Sequence, residues 1–153
     1  KSISLNSNRL DDLESAIQFA NALSEHTFLD SLSLRHCNFG EVDWITFSAI
    51  ISACSRVKFL DLRNIGLGSD GATVMAQFLE SNPPSLETLN LSHNQFNDWD
   101  ANVIAQALPS NTHLDILYMT NNPMLEIGKK ALLNAIFNTT SLNATTDSNH
   151  TCE

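Results

Sequence analysis

Histidine and aspartate side chains are the groups in this sequence best suited to bind a metal or to transfer a proton. His36 and His93 occupy equivalent positions in two similar segments, and a third such segment lies between them. If each segment contributes one strand to a common sheet, the two rings are about 10 Å apart, which is too far for one ion to bridge. The adjacent pair Asp11 and Asp12 resembles calcium ligands only superficially, because helix starts favour carboxylates anyway. We therefore predict no metal site and no cofactor.

Sequence motifs that accompany catalysis are missing. The chain has no GxSxG, GxxxxGK or HExxH motif and no acidic calcium-binding loop. Cys37, Cys54 and Cys152 are odd in number and form no CxxC pair, so they indicate neither a disulfide framework nor a zinc site. We predict that the protein is not an enzyme and that its thiols are reduced.

Charge and hydropathy restrict the classes of partner. A net charge of −9 repels polyphosphates, and the pair Lys129-Lys130 is the largest basic cluster, so we expect no nucleic-acid partner. No apolar run is long enough for a membrane span, and the first residues lack the order of a signal peptide. These features predict an intracellular protein without membrane insertion. Sequons at Asn138, Asn143 and Asn149 keep a secreted, glycosylated protein open as an alternative.

Internal repetition is the dominant signal in the chain. The pattern L-x-x-L-x-L-x-x-N/C-x-L recurs along the chain. Its third leucine position returns at intervals of 29, 28, 29, 28 and 28 residues. That slot is filled in turn by Leu5, Leu34, Leu62, Leu91, Met119 and, in a weaker sixth copy, Asp147. Alternate apolar residues such as Leu60 and Leu62 predict a short strand with one buried face.

The residues that follow each predicted strand indicate how the chain turns and then enters a helix. We expect Asn94, Asn122 and Cys37 to satisfy backbone groups at the turns, and Ile65 departs from this pattern. Apolar residues at helical spacing then predict helices in the segments that start near Leu13, Trp44, Ala72, Ala101 and Lys129.

Two further expectations concern the ends and the packing of these helices. Asp70 and Asp98 precede helices and are predicted N-caps. Trp44, Phe47 and Phe78 lie at helical spacing and are predicted to fill the core between helices and sheet.

With 28- and 29-residue periods and helical stretches similar to G-A-x-x-L-A-x-A-L, the chain resembles the ribonuclease-inhibitor subclass of leucine-rich repeats. The resemblance implies an α/β fold, a right-handed horseshoe solenoid with a parallel inner sheet and outer helices. We predict a single domain over residues 1–153, with about five full repeats and a degenerate C-terminal one, as a fragment of a longer chain. The sixth copy is either a polar closing repeat or a degenerate repeat followed by more chain.

The residues between the buried leucines are predicted to point to the concave face, where such solenoids bind partners. Aromatic and arginine side chains are the commonest binding hot spots. The predicted recognition patch comprises Phe59, Asp61, Arg63 and Tyr118 with Arg35 alongside, and the wider face includes Ile116, His36 and His93. In the alternative interpretation, Arg35, Asp61 and Arg63 form a solvated charge ladder between neighbouring strands.

The resemblance implies binding of another protein on the concave face, because members of this subclass share that habit. Two alternatives stay open. One is a regulator similar to Ran GTPase-activating proteins, and the other is a structural spacer in a larger assembly.

Overall fold

The computed structural model describes residues 1–26, 28–40 and 42–137 and the backbone of residues 151–152. Strands and helices alternate along the chain. The strands are β1 (Ser2–Ser4), β2 (Ser31–Ser33), β3 (Phe59–Asp61), β4 (Thr88–Asn90), β5 (Ile116–Tyr118) and β6 (Thr151–Cys152). The helices are α1 (Leu13–Glu25), α2 (Trp44–Ala53), α3 (Ser69–Glu80), α4 (Asp98–Ala107) and α5 (Glu126–Ile136), and a 3-10 turn (Leu108–Ser110) follows α4.

All six strands form one parallel sheet in which the spatial order equals the chain order. Equivalent residues of successive repeats are direct partners, as in the row Ser31, Phe59, Thr88 and Ile116. Parallel neighbours need a crossover connection, and one helix per repeat supplies it. The fold is therefore the predicted α/β leucine-rich-repeat solenoid.

Leucines on the helix side of the sheet form the centre of the core. Leu60, Leu62, Leu89 and Leu91 are fully buried. Phe47 and Phe78 join them as predicted. These side chains stack from repeat to repeat, so each layer of the core is closed by its two neighbours.

Trp44 was wrongly predicted to be a core residue. It is 40% exposed and stands edge-on to Phe47, with ring centroids 5.7 Å apart. Trp44 is the first residue of α2, where the helix only begins to approach the sheet. Its ring therefore covers the buried Phe47 from outside instead of inserting beside it.

The side chain of Asn94 fastens two successive turns. Its Nδ2 donates to the carbonyl oxygens of Leu62 (3.0 Å) and Leu91 (2.9 Å), and its Oδ1 accepts from the N–H groups of Ile65 and Leu67 (3.1 Å each). Ile65 cannot make such bonds with its own side chain, and its turn is satisfied by this asparagine of the next repeat. The predicted turn role of Asn94 is confirmed.

The same role is confirmed at two other turns. Asn122 donates to the carbonyl oxygens of Leu91 (3.1 Å) and Met119 (2.9 Å). The Cys37 thiol donates to the carbonyl oxygen of Leu5 at 3.0 Å, so a thiol replaces the amide in the second repeat.

Neither aspartate predicted as an N-cap caps its own helix. The residue before α3 is Gly68, and Asp70 lies inside the first turn. Asn97 caps α4 in a capping box with Asp100. Asp98 instead accepts from backbone N–H groups at the start of α5, in the next repeat. The N-terminal helices do use aspartate caps, Asp12 for α1 and Asp43 for α2.

The register of the sixth repeat differs from the prediction. The residue paired with Ile116 is Thr151, and Cys152 pairs with Leu117. The sequence pattern aligns Asp147 with Met119, an interval of 28 residues that would bring Ala144 beside Ile116. That segment has Asp147 and Thr145 where earlier repeats have leucine, so no apolar pair fixed its register. Ala144 and the sequons at Asn138, Asn143 and Asn149 lie outside the described residues.

Replacing Leu91 with Ala tests the leucine stack. Leu91 is fully buried, and its truncation leaves a cavity, so the free energy of unfolding should fall by about 2–5 kcal/mol in urea denaturation. Ile45→Ala is the matched control because Ile45 is 84% exposed, and its stability should change by less than about 0.5 kcal/mol. Equal losses in the two variants would contradict the assignment of inside and outside.

Candidate partner-binding surface

The alternation of side chains along each strand creates a second face of the sheet, opposite the helices. In β3, Leu60 is buried against the helices, so Phe59 and Asp61 point the other way. We call this the inner sheet face. Its described strand positions are Ser2, Ser4, Ser31, Ser33, Phe59, Asp61, Thr88, Asn90, Ile116 and Tyr118.

Large apolar side chains lie at two places in one row of the inner sheet face. Phe59 and Ile116 are both half-buried, and each pairs in register with Thr88 of the strand between them. Two strand spacings separate them, about 10 Å. The small Thr88 side chain therefore forms the floor of a shallow trough with apolar walls. Tyr118 extends the wall on β5, beside Asn90 of β4.

Asp61 lies on the predicted face but is 2% exposed, so it cannot be the direct partner contact that the sequence suggested. The Arg63 side chain folds back over it: Nε is 2.9 Å from Oδ1, and Nη2 is 2.6 Å from Oδ2. The Arg63 N–H also donates to Oδ1 at 3.1 Å, and the Ser33 hydroxyl lies 3.4 Å from Oδ2. Asp61 therefore positions Arg63, which is the accessible member of the pair.

The arrangement of these charges also differs from a ladder between strands. Arg63 and Asp61 belong to one stretch of chain, two residues apart, whereas Arg35 donates through Nε to Nε2 of His36 at 2.9 Å. Hydrogen bonding to the Asp61 carboxylate raises the pKa of the Arg63 guanidinium above its ordinary value, against the effect of burial. Arg63 is thus a fixed cation whose charge is largely balanced, and Arg35 is an exposed cation beside an imidazole.

His36 and His93 lie at the rim, in the turns that follow the strands. Both have a positive φ of 58°. Asn64 and Asn121, at the same turn position of the repeats that follow, also have positive φ, 52° and 55°. Asparagine and histidine are among the side chains that tolerate this left-handed backbone region best. Each histidine also forms a hydrogen bond to that asparagine: His36 to Asn64, and His93 to Asn121 at 3.1 Å.

The ring of His36 has a polar neighbour at each nitrogen. Its Nε2 accepts from Arg35 Nε at 2.9 Å, and its Nδ1 lies against the amide nitrogen of Asn64. Both histidines thus support the turns. Among the described residues, no group of three or more His, Cys, Asp or Glu side chains could hold a metal ion.

Sequence reasoning placed Asn90 on this face without giving it a role, and it missed the ion pair between Lys58 and Glu87 just before β3 and β4. Asn90 is 8% exposed, and its Oδ1 accepts from the Ser92 N–H at 3.1 Å, just as Asp61 binds the Arg63 N–H. Lys58 Nζ lies 2.7 Å from Glu87 Oε1, and these residues directly precede Phe59 and Thr88. The signal for both was the shared position in successive repeats.

The two described cysteines are buried and carry no disulfide. Burial raises the pKa of the Cys54 thiol to about 12 and also raises the pKa of Cys37. A thiol that stays protonated is a poor nucleophile, so these residues act as small core and turn groups. Among the described residues, no helix combines the length and the apolar character that a membrane crossing requires.

Comparisons with known proteins identify the repeat. A sequence model of the Leucine Rich Repeat family matches residues 85–107. The chain is 30% identical over 137 residues to the mouse protein "NACHT, LRR and PYD domains-containing protein 5", which covers 89% of this chain and 12% of that protein. It is 27% identical over 108 residues to the human "Protein NLRC5", covering 69% of this chain and 6% of that protein. The chain therefore spans only a small part of the length of these relatives.

One solved structure supports the fold alone. A protein from Bacteroides fragilis superposes with a TM-score of 0.53 at 17% identity, over 82% of this chain and 33% of that chain.

Substitution of Asp61 tests how Arg63 is held. Asp61→Asn keeps an acceptor for the Arg63 N–H, as Asn90 does for Ser92, but it removes the charge and replaces the second acceptor oxygen with a donor NH2 group. Asp61→Ala removes every bond. We expect urea denaturation to show a loss of about 1–3 kcal/mol for the alanine variant and a smaller loss for the asparagine variant. An alanine variant as stable as the parent would contradict the buried, bonded carboxylate.

Proposed function

Since the chain is a leucine-rich-repeat protein, we propose that it is a protein-interaction module that binds a partner protein on its inner sheet face and catalyses no reaction itself. The observation that carries this proposal is the trough between Phe59 and Ile116, extended by Tyr118. Large apolar and aromatic side chains are half-exposed there on an otherwise small, polar sheet face. Three such side chains within two strand spacings favour a partner over a merely solvated face.

The trough suits an apolar anchor of the partner. A side chain that lies over Thr88 would contact Phe59 on one side and Ile116 on the other. Removing apolar surface from water contributes about 25 cal/mol per Å². Tyr118 adds a hydroxyl that can bond to the partner's backbone, which is one reason why tyrosine is enriched at interfaces.

The two arginines suit an acidic group beside that anchor. Arg35 and Arg63 occupy equivalent positions just after the adjacent strands β2 and β3, which are about 4.8 Å apart. Because Asp61 already orders the Arg63 side chain, a partner loses less conformational entropy when it binds this guanidinium. Arg35 is exposed and has an imidazole instead of a carboxylate as its bonded neighbour, so its charge is available.

Three further proposals concern the setting of this module. We propose that the repeats are of the ribonuclease-inhibitor-like subclass, which the 28- and 29-residue intervals and a full helix in each described repeat support. We propose that residues 1–153 are one domain of a longer chain, as the lengths of the two relatives suggest. The free, buried thiols of Cys37 and Cys54 support an intracellular location.

Affinity capture with matched variants tests the binding face. The tagged chain is used to capture proteins from a lysate of cells that make it, beside two variants of equal thermal stability. Arg35→Gln/Tyr118→Ala alters the inner sheet face, and Gln77→Ala/Gln106→Ala alters exposed positions on α3 and α4. We expect a protein that is retained by the parent and by the helix variant and lost by the inner-face variant.

Calorimetry with that protein, once purified, then gives the magnitude. Hot-spot side chains contribute about 2 kcal/mol or more, so the Kd of the inner-face variant should rise by about thirtyfold or more. Equal Kd values for the parent and the inner-face variant, with weaker binding by the helix variant, would overturn the proposal and favour a spacer role through the helices.

A further inference from the structure

Three exposed apolar side chains lie where α4 and α5 begin. Trp99 is 60% exposed, Leu125 69% and Ile127 75%. Single exposed apolar residues are ordinary on protein surfaces. These three come from adjacent repeats and lie at the same end of neighbouring helices, and we call them the Trp99 patch. None of them belongs to the inner sheet face.

The backbone under the Trp99 patch is rigidly joined. Asp98 Oδ1 accepts from the N–H groups of Leu125 (2.7 Å) and Gly128 (2.9 Å), which flank Ile127. Gly128 permits this close approach, because a Cβ there would lie 3.0 Å from the Asp98 Cα and 2.9 Å from the Ala101 Cβ. The segment that bears Trp99 is therefore fixed against the segment that bears Leu125 and Ile127. A surface ordered in advance loses little entropy on binding.

The charge around the Trp99 patch is negative. Residues 64–130 contain seven Asp and Glu residues and two cations, Lys129 and Lys130 of α5. Asp70, in the preceding repeat, takes the second position of its helix, as Trp99 and Ile127 do in theirs, and is exposed. Glu126 lies between Leu125 and Ile127 and is paired only with Lys129, at 3.2 Å on the surface. Exposed pairs of this kind are weak, so Glu126 can exchange its partner.

We propose that the Trp99 patch is a second docking surface, for a cationic amphipathic segment of another protein. The apolar side chains of that segment cover Trp99, Leu125 and Ile127, and its Lys or Arg residues lie beside Asp70 and Glu126. Tryptophan binds cations on its ring face as well as apolar groups, which suits such a segment. A second copy of this chain fits poorly, because two chains of net charge −9 repel each other. Three side chains are also far fewer than the 20–30 residues a side of a stable dimer interface.

The test uses Trp99 as its own reporter. The chain has two tryptophans, and Trp44→Phe leaves Trp99 as the fluorophore. The probe is a synthetic peptide of Leu and Lys residues at amphipathic helical spacing, and the comparison probe has Glu in place of every Lys. We expect the emission of Trp99 to shift to shorter wavelength with the Lys peptide, to weaken in affinity as salt is added, and not to shift with the Glu peptide.

Variants in the same background separate this patch from general attraction to an acidic protein. Leu125→Gln/Ile127→Gln should raise the Kd for the Lys peptide by about tenfold or more. Ile45→Gln, at the equivalent helix position of α2 and 84% exposed, should leave the Kd unchanged. Arg35→Gln/Tyr118→Ala should also leave it unchanged, so the inner-face proposal and this one can fail separately.

Four results would overturn the proposal. Two concern the probes: no shift with the Lys peptide, or an equal shift with the Glu peptide. The third is an equal Kd for Leu125→Gln/Ile127→Gln and Ile45→Gln. The fourth is a shift that depends on protein concentration alone, together with dimers in sedimentation.

Discussion

Each repeat must turn its backbone away from a three-residue strand without leaving buried polar groups unpaired, and the whole structure depends on this constraint. Asn94 meets it with four hydrogen bonds that join its own turn to the turn before it. Left-handed residues such as Asn64 and His93 then direct the chain toward the helix. Because the turn lies at the same position in every described repeat, the strands stay in register, and residues 28 or 29 apart become neighbours.

The repeat period made the fold predictable, since it fixed which leucines share a layer and which residues share a face. The details that could not be predicted depend on side chains that cross between repeats or fold back on themselves. The burial of Asp61 requires Arg63 to lie over it, and Asp98 caps a helix in the following repeat. The first contact depends on the conformation of one side chain and the second crosses between repeats, so the repeat pattern specifies neither. The sixth repeat lacks leucine at Asp147, so its register had no apolar pair to define it.

The distribution of charge gives the two proposed surfaces different chemistry. Six of the eight Lys and Arg residues lie within residues 1–63. Residues 64–128 contain carboxylates but no Lys or Arg, and the remaining two cations are Lys129 and Lys130. On the inner sheet face, apolar side chains stand near Arg35 and Arg63, which suits an acidic partner group. At the starts of α4 and α5, apolar side chains stand near Asp70 and Glu126, which suits a cationic one. Such a molecule can hold two partners of opposite charge without competition between them.

Photo-crosslinking from Tyr118 tests the inner-face claim most directly. A photoreactive phenylalanine analogue replaces Tyr118 in one sample and Gln106, an exposed residue of α4, in another. Both are irradiated with the captured partner, and the adducts are mapped by mass spectrometry. The account predicts a covalent adduct from position 118 and none from position 106. An adduct from position 106 alone would contradict binding on the inner sheet face.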